Sequence, residues 1–136
     1  MPADARRRGP TAKVLIVDDH QQNLELLEVY LEELPNVSVR TAADGIEAMG
    51  LIADDPPDLV LLDIMMPRMS GFEVCKQIKS NPKTRDILVV MVTALNETGD
   101  IERATECGAD DYLSKPIDRR ALVNLVRTLL AGRPAV

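Results

Sequence analysis

Three stretches of this chain are apolar from end to end and stop on a polar residue. They are "VLIV" before Asp18-Asp19, "LVLL" before Asp63, and "ILVVMV" before Thr93. A strand with one face in water alternates apolar and polar residues, whereas an uninterrupted β-favouring run reads as a strand buried on both faces. Such strands belong to parallel sheets, and each parallel connection needs a crossover, usually a helix.

The intervening segments supply those helices. Lys13–Asp18 reads as the first strand. Gln22–Leu34 carries Leu24, Leu27, Leu31 and Leu34 at helical spacing, with Leu26 and Val29 widening the stripe, and Pro35-Asn36 ends it. Val37–Ala42 alternates as a second strand. Asp44–Ala53 reads as a helix with Ile46, Met49 and Ile52 on one side, stopped by "DDPPD". After the strand Leu59–Asp63, Gly71–Ser80 is helical with Phe72, Cys75 and Ile78 at core spacing, and Asn81-Pro82 breaks it. Ile87–Thr93 is the fourth strand. Glu97–Cys107 is a weaker helix closed by Gly108 as a C-cap. Asp111–Leu113 is a short fifth strand, and Asp118 caps a last helix, Arg119–Ala131, striped by Leu122, Leu125, Val126 and Leu129. The expectation is an α/β protein with a (βα)5 doubly wound, five-stranded parallel sheet.

The length of 136 residues suits one domain, expected over 12–131. Residues 1–11 read as a flexible N-terminal tail, and 132–136 as a C-terminal tail or the start of a truncated linker. Apolar residues at 46% and charged residues at 28% fit a soluble globular domain. The net charge of −6 argues against direct nucleic-acid binding. The basic run Arg6-Arg7-Arg8 reads as part of a solvated tail. No stretch has membrane length and no hydrophobic signal segment follows the N-terminal charges, so a cytoplasmic location and no membrane contact are expected. Cys75 and Cys107 lie in no CxxC or Cys/His cluster and read as free thiols.

In open α/β sheets ligands bind outside the carboxyl ends of the strands, near the point where strand order reverses. Those ends carry Asp18-Asp19, Asp63 and Thr93, and Lys115 follows the fifth strand. Three carboxylates without sulfur or nitrogen partners suit a hard cation, and a small octahedral site suits Mg²⁺. Thr93 and Lys115 suit phosphoryl oxygens, one as a neutral donor and one as a point charge. Asp63 is then either a metal ligand or a nucleophile that forms an acyl phosphate.

At this point "LIVDD", "LLDIMMPRMSGFEV", "VMVTA" and "GADDYLSKPI", in this order and spacing, resemble the receiver domain of two-component response regulators over about residues 13–131. Within that family the chain is similar to receivers that precede cyclic-di-GMP enzymes, or to short stand-alone receivers. The resemblance implies a flavodoxin-like fold with strand order 2-1-3-4-5. It implies that Asp63 is the phosphoacceptor. Asp19, Asp63 and the backbone carbonyl of Met65 would bind Mg²⁺, with Asp18 helping through a metal-bound water. Lys115 would pair with Asp63 and then with the phosphoryl group, Thr93 and Ala94 would border that group, and Thr93 with Tyr112 would form the switch. A cis Lys115–Pro116 bond is also implied. The implied partners are a histidine kinase or phosphotransfer protein as donor and a downstream protein or covalently linked effector domain as target. The face of the fourth helix, fifth strand and fifth helix is the family's homodimer surface.

Other readings compete residue by residue. Asp18-Asp19 could form a turn and helix cap, Thr93 could be a plain strand end, and Lys115 an exposed loop residue. Tyr112 could be a half-buried anchor. His20 and Asn23 read as loop solvation or helix capping, with a place beside the site as the alternative. Met65, Met66 and Met69 read as packing. Met65 and Leu95, two residues past Asp63 and Thr93, are apolar and bear on water access to an acyl phosphate. The segment "ALNETGDI" reads as a mobile element. As a whole, the chain could instead be an aspartyl-phosphate hydrolase, but that chemistry wants a second aspartate where Met65 stands. A flavodoxin-like nucleotide binder would want Ser, Thr or Gly in place of "DDHQQN". A receiver-like scaffold that is never phosphorylated is the remaining alternative.

Overall fold

The computed structural model describes residues 12–94, 102 and 105–132. Five strands, β1 (Ala12–Val17), β2 (Val37–Ala42), β3 (Leu59–Asp63), β4 (Leu88–Thr93) and β5 (Asp111–Ser114), form one sheet in the order β2-β1-β3-β4-β5. Every pairing is parallel, as the apolar runs require. Helices α1 (Gln21–Leu31), α2 (Gly45–Asp54), α3 (Gly71–Ser80) and a C-terminal helix (Arg119–Gly132) cover it. The flavodoxin-like order expected from the resemblance is therefore the observed one.

The period-2 geometry of the strands divides the core into two layers. Leu15, Val17, Val60, Leu62, Val89 and Met91 face Ala48, Ile52, Phe72, Val74, Cys75 and Ile78 on α2 and α3. Val14, Ile16, Leu59, Leu61, Val90 and Val92 face Leu24, Leu27 and Leu31 on α1 and Leu122, Val123 and Val126 on the C-terminal helix. Each fully buried Leu, Ile or Val contributes about 1.5–3 kcal/mol, so the apolar runs read in the sequence hold both layers together.

Several details differ from the sequence reading. α1 stops three residues early, at Leu31, although Leu34 is still buried. Leu26 and Val29 face solvent rather than widening the stripe, and so does Ile46. On α2 the buried positions are Gly45, Ala48 and Ile52, an i, i+3, i+7 stripe that leaves Ile46 off the buried face. Met66 and Met69 pack against the core, but Met65 is exposed. Cys75 and Cys107 are free thiols, and the buried Cys75 thiol donates to the Cys107 carbonyl at 3.3 Å. The triple arginine, Leu95, the "ALNETGDI" segment after Ala94 and most of the Glu97–Cys107 helix lie outside the described residues. Among them Glu102, Thr105 and Glu106 are helical, and Gly108 has φ +91° in the turn that follows.

One cap sets the helix next to the strand end that matters most. Ser70 Oγ accepts from Glu73 N at 3.3 Å, and Glu73 Oε1 accepts from Ser70 N at 3.3 Å. This reciprocal box satisfies two N–H groups at the start of α3. Ser70→Ala is expected to cost about 1 kcal/mol, read as a lower urea midpoint at unchanged slope. An unchanged midpoint would show that water replaces the hydroxyl at no cost.

Candidate functional site

Strand register brings the polar strand ends together. Val17 pairs with Leu62, so Asp18 and Asp63 follow side by side at the edge of β1 and β3. Strand order reverses between these two strands, which is where an open α/β sheet leaves a crevice. Asp63 pairs with Val92, which places Thr93 one step further along β4. Thr93 pairs with Ser114, and Lys115 leaves β5 next. Among the described residues the buried polar or charged side chains are Asp18 (2% exposed), Asp63 (3%) and Thr93 (4%). All three are at this one edge.

Burying two like charges side by side is unfavourable unless something compensates. Lys115 Nζ reaches both, at 3.4 Å from Asp63 Oδ1 and 3.5 Å from Asp18 Oδ2. Asp18 is further held by the backbone N–H of His20, which donates to Oδ1 at 2.8 Å, and by Asn23 Nδ2, which donates to Oδ2 at 3.2 Å. Asp63 has less support. Burial first, then the neighbouring Asp18 charge, push its pKa above the ordinary carboxylate value, against the opposing pull of Lys115 and the Met65 N–H. One ammonium facing three carboxylates leaves a negative surplus.

That surplus fits a cation. Single donor atoms from Asp18, Asp19, His20 and Asp63 all lie within 4.8 Å of one another. The Met65 N–H that hydrogen-bonds the Asp63 carboxylate puts the Met65 backbone at the same place, while its side chain points to solvent. Oxygen donors dominate, which suits a hard divalent ion such as Mg²⁺.

The remaining expected residues surround this centre. Ala94 is exposed just past β4. Tyr112 on β5 is exposed, and its backbone N–H donates to Asp111 Oδ1 at 2.8 Å. The Lys115–Pro116 peptide bond is cis, as the resemblance implied. A cleft of about 500 Å³ opens beside Lys115, lined by Asn23, Leu26, Tyr30, Ala94 and Ile117 among others.

Two residues read as caps or loop solvation are part of the site instead. His20 occupies the N-cap position of α1 but makes no side-chain cap hydrogen bond. Its ring turns to the aspartates, with Nδ1 3.2 Å from Asp18 Oδ1 and 3.2 Å from Asp19 Oδ1. Asn23 spends its amide on Asp18. The sequence held a usable signal: a buried Asp18 needs donors for both oxygens, and the first turn of α1 is the segment within reach.

Comparison with known proteins agrees with this geometry. The family described as the response regulator receiver domain matches residues 14–127. Response regulator PleD of Caulobacter vibrioides is 47% identical over 119 residues, covering 88% of this chain and 26% of that protein. The DNA-binding dual master transcriptional regulator RpaA of Synechocystis is 39% identical over 118 residues, 87% of this chain and 48% of that protein. The chain thus spans half or less of these relatives' length. Among solved structures, the signal receiver domain of a signal transduction histidine kinase from Syntrophus aciditrophicus superposes with a TM-score of 0.85 at 34% identity, covering 92% of this chain and 94% of that one. A putative response regulator from Chloroflexus aurantiacus gives 0.84 at 35% identity, with 90% and 99% covered. By sequence, fold and the gathering of acidic strand ends, the chain belongs to the response regulator receiver domain family.

Proposed function

We propose that Asp63 is the phosphoacceptor through which this receiver domain acts as a phosphorylation-dependent signalling switch. The observation that carries this reading is the position of Asp63: buried, raised in pKa by that burial first and by Asp18 second, and in contact with the one ammonium that, among the described residues, reaches both carboxylates. An Asp63 carboxylate oxygen attacks phosphorus. An O–P bond forms, the P–N bond of a donor phosphohistidine breaks, and its electron pair returns to the imidazole nitrogen. Lys115 moves from the carboxylate to a phosphoryl oxygen, and the Thr93 hydroxyl donates to another. Ala94 leaves the approach open. Asp19, Asp63 and the Met65 carbonyl would hold Mg²⁺, with Asp18 in support. When bound, that ion supplies positive charge that screens the carboxylates and draws electron density from the phosphoryl oxygens.

The output follows from the same contacts. As Thr93 turns to the phosphoryl group it vacates space beside β5, and Tyr112, now exposed, turns inward to fill it. The surface around β5 and the C-terminal helix then differs between the two states, and a partner that binds one state better converts that difference into signal. The donor is a histidine kinase or phosphotransfer protein, for which exposed Leu26 and the neighbouring cleft offer apolar footing. The receiver of the signal is a separate protein, a linked effector domain, or a second copy docked on this face. Among the described residues no helix is long and apolar enough to cross a membrane, and we place the reaction in the cytoplasm.

Intact mass after incubation with acetyl phosphate tests the assignment. The sequence has no Trp, so mass rather than tryptophan fluorescence is the readout. One phosphoryl adduct is expected, dependent on Mg²⁺ and absent in Asp63→Asn. No adduct in the wild type, together with no response to beryllofluoride, would move the chain to the scaffold reading.

A further inference from the structure

The two cysteines meet away from the acidic cluster, where α3 packs on the turn that leads into the amino end of β5. Cys75 and Lys79 stand one helical turn apart on α3 and so point to the same side of it. That side faces the turn 107–110. The Lys79 ammonium donates to Asp110 Oδ2 at 2.9 Å and to the Ile87 carbonyl at 2.6 Å, and Asp110 Oδ2 also accepts from Val89 N at 2.8 Å. Gly108, at φ +91°, lies against the Lys79 stem, where a Cβ would come within 3.1 Å of Lys79 Cγ. These contacts clamp the turn. One helical turn back, the Cys75 thiol donates to the Cys107 carbonyl at 3.3 Å, and the Cys107 side chain hydrogen-bonds with that of Cys75. The two sulfurs differ in access. Cys75 is 0% exposed, and burial first, then Cys107, push its thiol up, so it stays protonated and closed to solutes. Cys107 is partly exposed.

We propose that Cys75 and Cys107 form a redox modification site, a dithiol that a peroxide converts into an intramolecular disulfide. Cys107 reacts first. Its thiolate attacks one peroxide oxygen, an S–O bond forms, the O–O bond breaks, and the departing hydroxide takes up the thiol proton as water. The Cys75 sulfur then attacks the sulfur of the resulting Cys107 sulfenic acid. An S–S bond forms, the S–O bond breaks, and the leaving hydroxide carries off the Cys75 proton as a second water. Two thiols lose two electrons in all, and one hydrogen peroxide becomes two waters. The buried thiol is the resolving one. It stands beside Cys107 before oxidation begins, so it intercepts the sulfenic acid ahead of irreversible oxidation. A small thiol reverses the bond, as suits a transient disulfide in a reducing compartment. The disulfide pins the turn before β5 to α3, next to the strand that carries Tyr112, and it uses none of the groups of the acidic strand-end site.

The experiment uses the reduced, tag-free full chain, with Cys107→Ser and Cys75→Ala beside it. Each is treated with hydrogen peroxide, alkylated under denaturing conditions, and digested without reductant for mass spectrometry. The wild type is expected to give one peptide pair joined through Cys75 and Cys107, which dithiothreitol separates. The sequence contains 2 cysteines, so no other intramolecular pairing competes. Methionine sulfoxide gains oxygen and needs its own reductases for repair, so it does not imitate this reversible loss of two hydrogens. Cys107→Ser is expected to keep Cys75 as an alkylatable thiol over the time in which the wild type becomes fully paired. Cys75→Ala is expected to yield a Cys107 sulfenic acid that dimedone traps, followed by sulfinic acid, because no resolving thiol is present. The pair is refuted if wild-type Cys107 proceeds to sulfinic acid while Cys75 stays a thiol, if disulfides form only between chains, or if neither cysteine reacts. Oxidation of Cys75 at the same rate in Cys107→Ser as in the wild type would overturn the assignment of Cys107 as the attacking thiol. Should Cys75→Ala fail to fold, the wild type and Cys107→Ser still decide the outcome.

Discussion

Gly71→Ala is expected to destabilise the domain by about 3 kcal/mol or more and to slow phosphorylation of Asp63 in whatever fraction remains folded. A Cβ at position 71 would lie 2.3 Å from the Asp63 carbonyl oxygen, 2.9 Å from Ile64 Cα and 3.0 Å from the Asp63 carbonyl carbon. All three are backbone atoms, so no rotamer change relieves the contact. The Gly71 N–H also donates to the Ile64 carbonyl at 3.0 Å, which fixes the first residue of α3 against the end of β3. Either α3 withdraws and loses the packing of Phe72, Val74, Cys75 and Ile78, or the Asp63–Ile64 backbone shifts and carries the carboxylate out of reach of Lys115. Urea denaturation reads the first and acetyl phosphate labelling the second. Gly50 is the control: a Cβ there meets nothing within 4 Å, so Gly50→Ala in α2 should stabilise or be neutral. Equal effects at the two positions would refute the steric account.

Gly71 also shows which parts of the site the sequence could reveal. The strands were readable because both faces of a parallel sheet are apolar, leaving one interpretation for "LVLLD" and its counterparts. Once those strands were parallel, the gathering of Asp18, Asp63, Thr93 and Lys115 followed from topology without any side-chain detail. Helix faces were less legible. On α1 and α2 apolar residues occur on more than one side, and spacing alone did not separate the buried Leu24, Leu27, Leu31 and Ile52 from the exposed Leu26, Val29 and Ile46. The close approach of Gly71 to the Asp63 backbone is a three-dimensional contact with no periodic trace, visible in sequence only as a glycine after "MPRMS". His20 and Asn23 were hidden for a different reason. Their local role, capping α1, is the common one for such residues, and what overrides it is the demand of a buried carboxylate for donors.

Lys115→Met should make the stability of the domain strongly pH-dependent on the neutral side, with a loss of about 2 kcal/mol near pH 7. Asp63 already carries a raised pKa, from burial first and from Asp18 second, and Lys115 is the principal group working against that rise. Without the ammonium at 3.4 Å the folded-state pKa rises further. The sign follows from proton binding. A carboxyl whose folded-state pKa lies above its unfolded value of about 3.9 binds more protons folded than unfolded between those two values. Its contribution is then fully present below the unfolded pKa and is lost as pH rises through the folded one. Wild type loses some stability over that window. Lys115→Met loses more, over a window that reaches higher pH, so the two proteins differ least near pH 4 and most above neutrality. Protonation of Asp63 limits the loss, because a neutral carboxyl then stands beside the Asp18 charge in place of a second bare one. Asp63→Asn in the Lys115→Met background removes one of the two charges and is expected to restore most of the stability at neutral pH. Urea midpoints at several pH values, measured with a chelator present so that no ion substitutes for the lysine, give the comparison. A gap between Lys115→Met and wild type that is constant from pH 4 to 8 would show that Lys115 contributes by packing its stem rather than by holding two buried carboxylates together.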